Sequence, residues 1–182
     1  NGECHLFTFL HMHHTAQIHF QLHQYHECID ACLSANYYWL EGPLIPDDAN
    51  EFLVAFAGDE NQINNYGLSN LILLGSAYGK INSFDDGIAI LSELTKTPPD
   101  DLYLCASLEL NLAELYTRAG MLAKARPLYQ KYCNQNPELY PDLHAALASL
   151  SLVLETESTI GSLPSLSTSF DGELLSSTCY SK

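Results

Sequence analysis

Basic side chains are scarce in this 182-residue chain. Seven Lys and Arg stand against 22 Asp and Glu, for a net charge of −15, and residues 1–79 hold nine carboxylates with no Lys or Arg at all. A field of that sign repels phosphate backbones and anionic headgroups. It excludes nucleic acid and membrane surfaces as expected partners and favours neutral or basic polypeptide over anionic segments, although the same charge also serves solubility. Long apolar runs are missing too. The longest stretch without a formal charge, Cys4 to His26, is interrupted by seven histidines, so no membrane span is expected. The six cysteines have no CxxC spacing and read as reduced thiols of a cytoplasmic or nuclear protein. The start, Asn1-Gly2-Glu3, has neither an initiating Met nor a basic leader and reads as part of something longer. With no GxSxG elbow and no P-loop, no enzyme and no cofactor is expected.

What the chain does contain is self-similarity. Segments 68–101 and 106–139 overlay on one 34-residue template without an internal gap. Leu74, Gly75, Tyr78, Gly87, Leu91, Leu94 and Pro99 of the first stand where the second has Leu112, Ala113, Tyr116, Ala125, Tyr129, Tyr132 and Pro137. The pattern is large-small-aromatic on one helix, small-large-large on the next, then a closing proline. Residues 6–42 fit a third time, with Ala16 and Cys28 at the small positions, Cys32 and Ala35 at later contact positions, and His19 where an aromatic is expected. These anchors resemble the tetratricopeptide repeat family. The resemblance implies an all-α fold, a right-handed α-solenoid of helix-turn-helix repeats, over residues 1–155.

Between the first two repeats, Gly42-Pro43 and Pro46 break helical geometry and a short inserted helix is expected over about 47–57, with Phe52, Leu53 and Phe56 as its stripe. Helices are further expected from Tyr66 to Gly79, Phe84 to Thr95 and Leu102 to Ala119. Gly120 supplies a bend, and Pro127 makes the helix after it start late or kink. The pairs Asp47-Asp48, Asp85-Asp86 and Asp100-Asp101 fall at helix starts or loops, where carboxylates cap free amides. A terminal helix over 140–156, opened by Pro141, is apolar on nearly all sides; Leu143, Leu147, Leu150 and Leu154 are candidates for self-association, a homodimer included. Residues 156–182 are rich in Ser and Thr and read as a tail.

One cluster has metal-ligand character. His19 and His23, like Cys28 and Cys32, are four apart and could share a helix face. The template instead puts His23 at a turn and both cysteines on the packing face, where cysteine acts as a small hydrophobe, so no metal is expected and the histidines read as a solvated, pH-sensitive patch.

The family resemblance implies that the first helix of each repeat lines a concave face that binds protein. Exposed contact candidates there are Asn70, Tyr78, Asn111, Glu114 and Arg118, with Tyr78 also suited to the core. Some relatives clamp C-terminal carboxylates with Lys, Arg and Asn. The matching positions here are Leu10, His13, Gln17, Ser69, Ile72, Ser76, Ser107, Leu110 and Glu114, without a Lys or Arg among them, so an anionic tail is not the expected ligand. A narrower similarity, carried by 16–20, 87–91, 112–116, 122–124 and 129–131, is to the N-terminal domains of the tetratricopeptide subunits of the anaphase-promoting complex. It implies a scaffold, a subunit or oligomerisation domain of a larger complex such as that cell-cycle ubiquitin ligase. An acidic chaperone that cradles an apolar client segment is the alternative.

Overall fold

Three helical hairpins close with the same turn, hydrogen bond for hydrogen bond. The computed structural model describes residues 5–40, 60–135, 148–149 and 151–152. Among them are six helices and no strand: α1 (His5–Gln21), α2 (Tyr25–Leu40), α3 (Glu60–Lys80), α4 (Phe84–Leu94), α5 (Leu102–Arg118) and α6 (Leu122–Gln135). None of these helices is long and apolar enough to cross a membrane.

After α1, the amides of Leu22, His23 and Gln24 donate to the carbonyls of Ile18, Phe20 and His19. After α3, Ile81, Asn82 and Ser83 donate to Ala77, Gly79 and Tyr78, and after α5, Ala119, Gly120 and Met121 donate to Leu115, Thr117 and Tyr116. The paired long and short bonds are a Schellman motif, which needs a left-handed residue just past the helix. That residue is His23 (φ 59°), Asn82 (φ 65°) and Gly120 (φ 76°) in turn. The three stand 59 and 38 positions apart, the same offsets that align the small residues Ala16, Gly75 and Ala113.

Each helix packs on the next, and α1 also touches α3 as α3 touches α5, so these three form one layer and α2, α4 and α6 the other. The small template positions lie where helices cross. Ala16, Cys28, Gly75, Gly87, Ala113 and Ala125 are all buried. The first crossing joins Ala16, Cys28 and Cys32 to Leu74 and Ala77; the second joins Ile72 and Leu91 to Leu108, Leu112 and Leu115; the third joins Ala113 to Ala125 and Tyr129. A fully buried leucine such as Leu91 contributes about 1.5–3 kcal/mol by removing its surface from water.

Helix starts follow the sequence in part. Asp101 caps α5, its Oδ1 accepting from the amides of Tyr103 at 2.8 Å and Leu104 at 2.9 Å. Asp86 in the first turn of α4 accepts from the Ser83 hydroxyl at 2.7 Å. One expectation is corrected, and of the two alternatives at Pro127 the late start is removed. Helix α3 begins at Glu60, six residues before the apolar period at Tyr66, and α6 begins at Leu122 and runs through Pro127 with no late start. Ala123, whose carbonyl the proline cannot reach with a donor, and Pro127 are both exposed, which leaves that carbonyl to water. The inserted helix at 47–57, the Asp47-Asp48 pair and the tail at 156–182 lie outside the described residues, as does most of the terminal helix.

Candidate functional site

The layer of α1, α3 and α5 carries the residues singled out for partner contact, and most of them already hold another helix. Asn70 is fully buried, not exposed. It occupies the slot that Leu108 fills 38 residues later, yet it is amide-bearing, and its partners lie on two other helices. Its Nδ2 donates to the Cys32 carbonyl at 3.0 Å and to Asn36 Oδ1 at 2.9 Å on α2, while its Oδ1 meets His13 Nδ1 on α1 at 3.0 Å. Tyr78 is half-buried against the first core cluster.

The other three tie α5 to α3. Asn111 Oδ1 accepts from the Ser76 hydroxyl at 2.7 Å, and its Nδ2 donates to the Ser107 carbonyl at 2.8 Å. Glu114 pairs with Lys80 at 2.7 Å, their side chains 46% and 32% exposed. An ion pair that open to water contributes about 0–1 kcal/mol, so it sets register more than stability. Arg118 donates to Asn82 Oδ1 at 3.1 Å and lies over the Phe84 ring, 5.3 Å from its centroid. A row of polar ties thus runs along the layer, each joining side chains 34–36 residues apart.

This arrangement changes what the face offers a ligand. Glu114 is balanced by Lys80, and His13 and Ile72 are buried. Leu10 on α1, Ser69 on α3, and Ser107 and Leu110 on α5 are half-buried. These positions carry leucine and hydroxyl groups without charge, and Arg118 is exposed.

Titration follows burial. Burial holds the His13 imidazole below its ordinary value of 6.5, with the Asn70 hydrogen bond acting against the shift and the neighbouring His14 with it. Burial pushes the Tyr132 phenol up, and its hydrogen bond to Glu109 at 2.8 Å acts the same way. The hydrogen bond that Cys32 donates to Cys28, and then burial, push the Cys32 thiol up.

The sequence singled out a histidine-cysteine set that the fold does not gather. Cys28 and Cys32 are fully buried with free thiols, whereas His19 meets Gln24 at 2.7 Å and His23 meets the Tyr25 hydroxyl at 2.8 Å on the exposed side. Among the described residues no group of three or more His, Cys, Asp or Glu is placed to hold a metal ion. Leu143, Leu147, Leu150 and Leu154 lie outside the described residues; of that helix Ala148, Ser149, Ser151 and Leu152 are described, and Leu152 is exposed.

A separate cleft of about 480 Å³ lies between the end of α2, the start of α3 and the loop before α5. Trp39, Leu68, Leu71, Pro98 and Pro99 form its apolar walls, and Asn64, Asn65 and Asp100 bring polar groups. Sequence reasoning had no means of finding it, since its lining comes from three distant segments. No family model, curated protein or solved structure matches the chain.

Proposed function

We propose that this chain is a non-enzymatic protein-interaction module, a right-handed solenoid of tetratricopeptide-like hairpins that serves as a subunit or oligomerisation domain of a larger assembly. One observation carries the reading: the three hairpins close with identical hydrogen bonds at the offsets of the sequence repeat. Stacked helical hairpins leave an extended surface, and such surfaces take up polypeptide. The layer of α1, α3 and α5 is the inner one in this reading, because its members touch across hairpins.

The uncharged Leu10, Ser69, Ser107 and Leu110 of this layer suit a neutral segment with apolar side chains, and the overall charge of −15 suits one carrying Lys or Arg at its flanks. Affinity purification of the chain from its source cells, with the bound proteins identified by mass spectrometry, tests this. Leu10→Asp and Leu110→Asp are expected to lose the partner, while Leu33→Asp on the outer layer keeps it. Loss with Leu33→Asp alone would place the binding face on the other layer and end the reading.

A further inference from the structure

The amide of Asn70 has a direction dictated by the backbone beside it. One of its terminal atoms lies 3.0 Å from the Cys32 carbonyl oxygen, a pure acceptor, so that atom is Nδ2. The other, Oδ1, therefore meets His13 Nδ1 at 3.0 Å, and since Oδ1 only accepts, His13 Nδ1 carries a proton. In a neutral ring Nε2 is then the acceptor, and it lies 3.0 Å from Gln17 Nε2. Gln17 Oε1 in turn meets His14 Nδ1 at 3.1 Å. With the Gln17 amide turned as it stands, Nε2 toward His13 and Oε1 toward His14, one assignment satisfies the whole chain of contacts from Cys32 through Asn70, His13 and Gln17 to His14. In it, His13 is neutral.

A second proton on His13 would sit on Nε2 and face the Gln17 amide nitrogen, donor against donor. Relief requires Gln17 to turn over, offering Oε1 to His13 and Nε2 to a His14 that must become an acceptor. The new charge would also rest on a side chain 3% exposed. Among the described residues no opposite charge on the packed elements faces it, and only the Asn70 hydrogen bond acts in its favour. On α1 the neighbours are His14 and the Phe9 ring, stacked at 6.0 Å. From α2 come Asn36, through Asn70, and the buried Cys32, while Glu27 and Asp30 of that helix are exposed. From α3 comes Asn70, with Glu60 and Lys80 ten positions away on either side, about 15 Å along the axis.

We propose that this three-helix junction is a proton-operated fastener, in which neutral His13 ties α1 to α2 and α3 and protonated His13 releases α1. Release would uncover Leu6, Phe9 and Ala16, all fully buried, together with the α2 face against them, converting mild acidity into new apolar surface. The sign follows from a basic group whose folded value is depressed by burial. Its contribution is full above the ordinary 6.5 and is lost as pH falls through 6.5 toward the folded value. Each unit of depression is worth about tenfold in the folding equilibrium.

Long-range proton–nitrogen NMR of the full chain at neutral pH is expected to find His13 as the Nδ1–H tautomer, with a titration midpoint below 6.5. Hydrogen-exchange protection of α1 is expected to fall on acidification relative to α5. His13→Gln keeps one side-chain donor and one acceptor without a group that titrates, and should abolish that selective loss. An Nε2–H tautomer, a midpoint at or above the ordinary value, or α1 protection that tracks α5 would overturn the proposal. If His13→Gln does not fold, the wild-type tautomer, midpoint and exchange decide it.

Discussion

Gly87 meets the backbone of Gly75 where α4 crosses α3: a β-carbon on Gly87 would stand 2.7 Å from the Gly75 carbonyl oxygen and 3.0 Å from Leu115 Cδ1. A backbone oxygen inside a helix cannot move aside as a side chain does. Gly87→Ala is therefore expected to destabilise the fold by about 1–2 kcal/mol, although alanine is the better helix former by about 1 kcal/mol. Urea unfolding measures it. Gly75→Ala should cost less, because its β-carbon would meet the flexible Leu91 side chain, 2.6 Å away; equal losses would show that α3 and α4 part as rigid bodies.

His23 holds a left-handed turn that Gly120 holds without strain in the third hairpin. A non-glycine residue there costs roughly 1–2 kcal/mol, somewhat less for a side chain that bonds locally. His23→Gly should accordingly raise stability by up to about 1 kcal/mol. A thermal midpoint that does not rise would mean the His23–Tyr25 contact offsets the strain.

Asn70 and His13 occupy positions where the third hairpin has Leu108 and Leu110. Either single change to leucine strands a buried polar partner and is expected to cost about 1–3 kcal/mol. The double variant His13→Leu/Asn70→Leu removes both partners together, so its cost should fall short of the sum by about 1 kcal/mol or more. Strict additivity in a double-mutant cycle would argue that the two side chains do not interact.

Trp39 is the chain's single tryptophan, and its ring lies over Gly67 so closely that a β-carbon there would fall 2.5 Å from Cζ2. Gly67→Val should expel the indole from its contact with Phe9, whose ring centroid is 5.1 Å away. A red shift of tryptophan emission, with the helical circular dichroism retained, is the expected signature.

Tyr132 donates to Glu109, which also holds Lys131 at 2.6 Å. Removing the hydroxyl in Tyr132→Phe is expected to cost about 1.5 kcal/mol, as for a hydrogen bond to a charged group. Because burial raises the phenol above its ordinary 10.0, this contribution is present below that pH and is lost as pH rises through the folded value. The wild type should therefore approach the variant in stability at strongly alkaline pH, and a constant gap would contradict the assignment.

Much of the architecture was legible because local chemistry and tertiary packing agreed. Large-small-aromatic spacing located the later hairpins, and the buried Ala16, Cys28 and Cys32 fall on the packing face that the template assigned them. The start of α3 was not legible, since Glu60 to Asn65 is mainly polar and shows no apolar period. The contact face was misread at Asn70. Polarity argued for water, but three partners on α1 and α2 let a core slot accept an amide.

The sequence by itself determined the helical class, the hairpins with turns at His23 and Gly120, and the net acidity, because each depends on short-range periodicity, backbone preference or composition. Tertiary structure alone decided which polar residues stay open to solvent and which face each other. Ser76 and Asn111, Lys80 and Glu114, and His13 and Asn70 are separated by dozens of residues, and nothing local distinguishes a side chain that binds a neighbouring helix from one that waits in solvent. Stacking the hairpins brings them within hydrogen-bond reach, and desolvation then makes each pairing obligatory in proportion to its burial.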